Sequence, residues 1–109
     1  MIIEQFINEK VNQLTAYIKA VNNHTLHYTE LDQFVNDTMS EWTLLNVTDD
    51  TPGSAKERVL WHVIHEISLH GSQALENNLF VKSEINTCVE FFTGVGSYPI
   101  DCVGWRPLV

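Results

Sequence analysis

Residues 54–75 read SAKERVLWHVIHEISLHGSQAL, and this stretch decides the fold class. Its apolar side chains recur every three or four positions, as on the buried face of an α-helix: Val59, Leu60, Val63, Ile64, Ile67, Ala74 and Leu75. The segment Ser54-Ala55-Lys56-Glu57 has the form of a capping box, so the helix is predicted to begin near Ser54. The period continues to about Leu79, and within it only Gly71 intrinsically disfavours a helix.

The same spacing predicts a helix on either side of this stretch and one more before it. The first runs from Ile3 to Val21, and the second follows a capping box at Thr29-Glu30-Leu31-Asp32 and ends before Asn46. A shorter helix is predicted from Ser83, with Gly94 just past its end. We therefore expect an all-α fold, an up-down bundle of about four helices.

The chain is expected to form a single domain over residues 1–109, because its length suits one small core. Residues 95–109 are broken by glycine and proline but remain apolar, as Tyr98, Ile100, Val103, Trp105 and Leu108 show. A solvated linker would be more polar. We expect this tail to dock on the bundle or on a partner subunit.

Composition narrows the classes of function and partner. The formal net charge of −8 repels phosphate backbones and anionic lipid, which argues against nucleic acid and membranes as partners. No apolar run approaches the ~18 residues of a membrane span, and Met1-Ile2-Ile3-Glu4 does not resemble the start of a signal peptide. A cytoplasmic protein is expected, with Cys88 and Cys102 as free thiols. Cys88 is interpreted first as a small core residue.

Three side chains of the quoted stretch form a row along the helix. Positions 62, 66 and 70 drift by only about 40° per step, so His62, Glu66 and His70 share one side. On a helical wheel Glu66 and His70 fall at the apolar sector and are predicted to face the interior together, whereas His65 points away. A carboxylate and an imidazole placed in this way are typical of metal sites in helical bundles. A hydrogen-bonded core histidine and a simple i,i+4 contact are the structural alternatives.

The segment Leu60-Trp61-His62-Val63, followed by His70 and Gln73, resembles the signature helix of the DinB-like (YfiT-like) metalloenzymes. The resemblance implies that Glu66 and His70 bind a metal, with His62 and Gln73 at the two other signature positions. Glutamate at the middle position resembles the branch that contains mycothiol-dependent maleylpyruvate isomerase. The resemblance also implies a four-helix bundle that holds zinc or nickel, with transferase or isomerase chemistry that uses a low-molecular-weight thiol.

The third ligand is not found in the quoted stretch. Members of this family are commonly longer at the front, where their third metal histidine lies, whereas residues 1–23 of this chain contain no histidine. His24 and His27 are the remaining donors, and a turn or capping role is the alternative for both. With Glu66, His70 and one of these two as ligands, zinc would keep an open position for a water or thiol, and Gln73 or His62 would support a ligand.

A second hypothesis is that the protein is not an enzyme. A shortened bundle with an apolar tail exposes surface that a second copy could cover, so a non-catalytic, self-associating protein with a vestigial metal site is the alternative, and a homodimer is expected. Gly-rich phosphate loops, Cys-x-x-Cys pairs and Gly-x-Ser-x-Gly elbows do not occur in the sequence. The catalytic residues, if there are any, therefore stay unassigned.

Overall fold

The computed structural model describes residues 2–99, 102 and 104–107. Five helices make up its regular structure: α1 (Ile3–Asn22), α2 (Tyr28–Leu44), α3 (Ala55–His70), α4 (Ala74–Asn77) and α5 (Leu79–Phe92). No strand occurs in these residues, so the all-α prediction is confirmed. Because α4 is a single turn, the four longer helices form the bundle.

A shared apolar core holds the four longer helices together. The buried side of α1 consists of Phe6, Ile7, Val11, Leu14, Ile18 and Val21, and all of these except Phe6 recur at the spacing predicted from the sequence. Trp42 of α2 and Trp61 of α3 are almost fully buried, and their rings meet edge to face with centroids 5.0 Å apart. An aromatic pair of this kind adds about 0.5–1.5 kcal/mol to the burial of its surface. It packs the C-terminal end of α2 against α3.

The prediction that the third helix continues to about Leu79 is wrong, because α3 ends at His70. Gly71 adopts a φ of +78°, which a residue with a side chain rarely takes, and its N–H donates a hydrogen bond to the carbonyl oxygen of Ile67 (2.7 Å). Gly71 therefore stops the helix rather than weakening it. The apolar residues Ala74 and Leu75 are buried from the separate turn α4.

The last helix begins four residues before the predicted Ser83. Asn78 caps α5, because its side chain accepts a hydrogen bond from the backbone N–H of Val81 (3.2 Å). The start of α2 also differs: His27 is its N-cap and accepts from Thr29 N–H (3.3 Å). The predicted cap at Ser54 is confirmed, since its Oγ accepts from the N–H of Glu57 (3.1 Å).

The described part of the tail lies against α3. A Cβ built on Gly104 would stand 1.9 Å from the carbonyl oxygen of Arg58, so the tail backbone touches the helix backbone and only glycine fits. Two residues further on, Arg106 is buried, and its guanidinium donates to the carbonyl oxygen of Asp49 (3.0 Å). The tail thus joins α3 to the loop that precedes it.

A buried ion pair anchors this tail. The carboxylate of Glu57 accepts hydrogen bonds from Nε (2.5 Å) and Nη2 (3.0 Å) of Arg106, from Nε1 of Trp61 (2.9 Å) and from the N–H of Gly53 (2.9 Å). Burial by itself raises the pKa of Glu57, but the hydrogen bonds from Arg106, Gly53 and Trp61 outweigh it and hold the pKa below its ordinary value. Glu57 is therefore an ionised group inside the fold.

None of the helices that the structure describes is both long enough and apolar enough to cross a lipid bilayer.

Candidate metal centre

The candidate metal centre lies between α3 and α5, which pack against each other. His62 of α3 keeps only 14% of its side chain exposed, and its Nε2 lies 2.7 Å from Oε1 of Glu84 on α5. A carboxylate in this position fixes the orientation of the ring, as the carboxylate partners of metal-bound histidines do. His62 is therefore held at the helix interface and not on the open surface.

Two groups of donor atoms meet at His62. The first group consists of His62, Glu66 and Glu84, and the second consists of His62, Cys88 and Cys102. Within each group all the donor atoms lie within 4.8 Å of one another. Donor atoms around a tetrahedral zinc ion stand roughly 3.3–3.8 Å apart, given bond lengths of about 2.0–2.3 Å. Side-chain shifts of about an ångström would bring either group to coordination distance.

Helix geometry explains why these donors converge. His62 and Glu66 are four residues apart on α3, and Glu84 and Cys88 are four residues apart on α5. Side chains with this separation lie one turn apart on the same side of a helix. Two facing helices thus each present a pair of donors, and the tail adds Cys102.

The predicted row of three residues is only partly retained in this centre. His62 and Glu66 belong to it, but the prediction that His70 faces the interior is wrong, since 38% of its side chain is exposed. Its Nε2 lies 3.4 Å from Oε2 of Glu66 in an i,i+4 pair. The helix ends at this residue, and its last three residues, Ser68 to His70, are all exposed. The apolar pattern in the sequence therefore extends further along the chain than the buried part of α3.

The other predicted site residues lie elsewhere. His24 sits exposed in the α1–α2 connection with a φ of +60°, and the ring of His27 caps α2. Gln73 is exposed in the turn before α4. In the part of the chain that the structure describes, neither these three nor His70 join a group of three donor atoms close enough for one ion.

Both cysteines of the centre are buried and free. Cys88 is 1% and Cys102 6% exposed. Burial, with smaller contributions from neighbouring Cys102 and Glu84, raises the pKa of the Cys88 thiol to about 12, and burial also raises the pKa of Cys102. Both side chains are therefore protonated thiols at neutral pH in the metal-free protein.

Three of the five donors were not proposed as ligands from the sequence. Glu84 and Cys88 carry a usable signal, because their i,i+4 spacing repeats that of His62 and Glu66 on another amphipathic helix. The sequence around Cys102 gives no such signal, because Cys102 lies in an irregular segment whose path depends on Gly104 and Arg106. The tertiary structure alone brings it to α5.

Compared with known proteins, the chain matches no family model, no curated protein and no solved structure. The resemblance to the DinB-like metalloenzymes therefore stays a prediction from the residues of α3. The case for a metal centre depends on its own geometry.

Proposed function

We propose that this protein binds one divalent metal ion between α3 and α5, with His62 as the central ligand. The observation that carries the proposal is the convergence of donor atoms from His62, Glu66 and Glu84 within 4.8 Å. Two partly buried carboxylates at this separation repel each other, and a bound cation removes that repulsion. The net charge of −8 also raises the local concentration of cations around the protein.

Ligation by three side chains has a chemical consequence. Zinc with three protein ligands keeps a fourth position, at which a water or thiol loses its proton near neutral pH. This chemistry would suit the thiol-dependent transferase or isomerase activity that the resemblance implies. Glu66 would also link the centre to His70 through their 3.4 Å contact.

Elemental analysis of tag-free protein tests the proposal. We expect about one divalent ion per chain after dialysis against zinc or nickel, and loss of that ion in His62→Asn and in Glu84→Gln. His24→Asn is the matched control: it removes a histidine outside the centre, and asparagine tolerates the positive φ found there. Circular dichroism confirms that each variant is folded.

Two results would overturn this function. One is a wild-type protein that takes up no zinc, nickel or cobalt. The other is a folded His62→Asn variant that keeps the wild-type metal content, because the ion would then lie elsewhere.

The alternative of self-association is favoured by one observation. Leu79 and Phe80, adjacent at the start of α5, are each 81% exposed. Light scattering over a range of concentrations would show a dimer that Phe80→Gln disrupts, whereas Leu44→Gln, which changes another exposed leucine, would leave it intact. A monomer at every concentration would remove this candidate.

A further inference from the structure

The two buried thiols of the centre differ from ordinary core cysteines in their neighbours. A core cysteine packs among apolar atoms, but Cys88 and Cys102 lie within 4.8 Å of each other and of an imidazole nitrogen of His62. That imidazole is held by Glu84 from the opposite side of the interface. Two sulfurs and one imidazole nitrogen form a donor set that zinc sites with three protein ligands use, and the carboxylate of Glu84 would support the histidine.

The position of Cys102 is fixed without any help from a metal. Tyr98 donates its hydroxyl to the carbonyl oxygen of Cys102 (3.0 Å). Gly104 lies directly on the backbone of α3, where its added Cβ would also come within 2.6 Å of the backbone nitrogen of His62. Arg106 is locked to Glu57. Since anchors stand on both sides of Cys102, its sulfur is preorganised beside α5 and coordination requires little ordering of the tail.

We propose that the ion is held by the sulfurs of Cys88 and Cys102 together with a nitrogen of His62, and that the site selects zinc-like ions over magnesium and calcium. This inference rests on the proposed function, to which it adds the inner ligands and the class of metal. Thiolates prefer zinc, cobalt and similar ions, whereas magnesium and calcium take oxygen ligands. Each thiol gives up one proton as its metal–sulfur bond forms, so one divalent ion releases two protons and nothing is oxidised or reduced.

The arrangement assigns separate tasks to the two donor groups. The sulfurs are buried, whereas Glu84 and Glu66 keep 36% and 23% of their side chains exposed. A surface cavity between α5 and the tail is lined by Gly96, Tyr98 and Pro99 and includes Glu84 of the centre. The carboxylates would therefore attract the ion from solvent, and the thiolates would retain it.

Cobalt(II) is the probe that separates this inference from the proposed function, because cobalt–thiolate bonds absorb in the near ultraviolet and cobalt–carboxylate bonds do not. We expect the wild-type protein to develop this charge-transfer absorption on titration with cobalt and to lose it when zinc is added. Cys88→Ser and Cys102→Ser should each weaken cobalt binding more than ~10-fold, the scale on which even supporting groups act. Glu76→Gln, the matched control, removes an exposed carboxylate outside the centre and should keep the absorption.

Each outcome decides between the two proposals. Cobalt uptake without the charge-transfer absorption, or unchanged uptake by a folded Cys88→Ser/Cys102→Ser variant, would overturn thiolate ligation and leave the carboxylate site standing. No uptake at all would overturn both. If the serine variants fail to fold, the zinc-edge X-ray absorption spectrum of the wild type decides, because sulfur at about 2.3 Å supports the inference and a shell of nitrogen and oxygen alone contradicts it.

Discussion

Glu57 is a charged residue in the core, and its replacement should lower the free energy of unfolding. Glu57→Gln keeps the shape of the side chain but removes the charge that Arg106 binds, leaving a buried guanidinium without its counter-ion. Breaking a buried pair from one side costs about 3–5 kcal/mol of unfolding free energy. Urea denaturation measures this loss. Glu76→Gln, an exposed change, should stay within about 0.5 kcal/mol, and an equal effect of the two would contradict the role of the pair.

The same carboxylate predicts how stability depends on pH. The pKa of Glu57 is lowered in the folded protein, so its contribution is fully present above the unfolded value of about 4.3 and is lost as the pH falls through the folded-state pKa. The difference in stability between the wild type and Glu57→Gln should therefore shrink in urea titrations as the pH falls below about 4.3. A difference in stability that grows as the pH falls would contradict a lowered pKa of Glu57 in the folded protein.

At the scale of elements, the cap of α5 and one residue inside it test where the helix begins. Asn78→Ala removes the cap that accepts from Val81 N–H and should cost about 1 kcal/mol of unfolding free energy. Ser83→Ala, at the start predicted from the sequence, should be neutral or slightly stabilising, because Ser83 is exposed inside the helix and alanine is the better helix former. Thermal unfolding of both variants provides the comparison, and the reverse order would restore the predicted start.

The contact of the tail with α3 can be tested with a pair of glycines. Gly104→Ala forces a Cβ to within 1.9 Å of backbone, so the tail must lift from the helix. We expect a loss of more than about 2 kcal/mol of unfolding free energy, in line with other overpacked sites. Gly53→Ala is the control, since its Cβ would make only ordinary contacts at 3.6 Å and beyond. A tolerated Gly104→Ala would contradict the docked tail.

The sequence predicted elements where periodicity and capping agree, as for α1 and the Ser54 cap. It did not predict that α3 ends before Gly71 or that Asn78 caps α5, because the apolar period of α3 continues through Ala74 and Leu75 although they belong to α4. Periodicity reports which residues are buried but not whether the chain turns between them. For the same reason it found His62 and Glu66 on one helix but could not place Cys102, whose position depends on contacts across the fold.

At the scale of the whole molecule, the proposed ion would join α3, α5 and the tail. An ion that binds only the folded chain raises its stability, by about 2.7 kcal/mol when free zinc is at a hundred times its dissociation constant. Zinc should therefore raise the unfolding temperature relative to a chelator, and magnesium should not. The rise should vanish in Cys88→Ser. An equal rise with magnesium would point to carboxylate binding alone.

The ion pair between Glu57 and Arg106 also determines when the nascent chain can complete its core. The two partners lie 49 residues apart, and a ribosome adds about 5–20 residues per second. For several seconds, then, the nascent chain holds the residues of α1 to α3 but has no cation for the carboxylate that α3 must bury. The bundle can complete its core only after Arg106 has emerged, so folding waits for a residue that is made 49 positions after its partner.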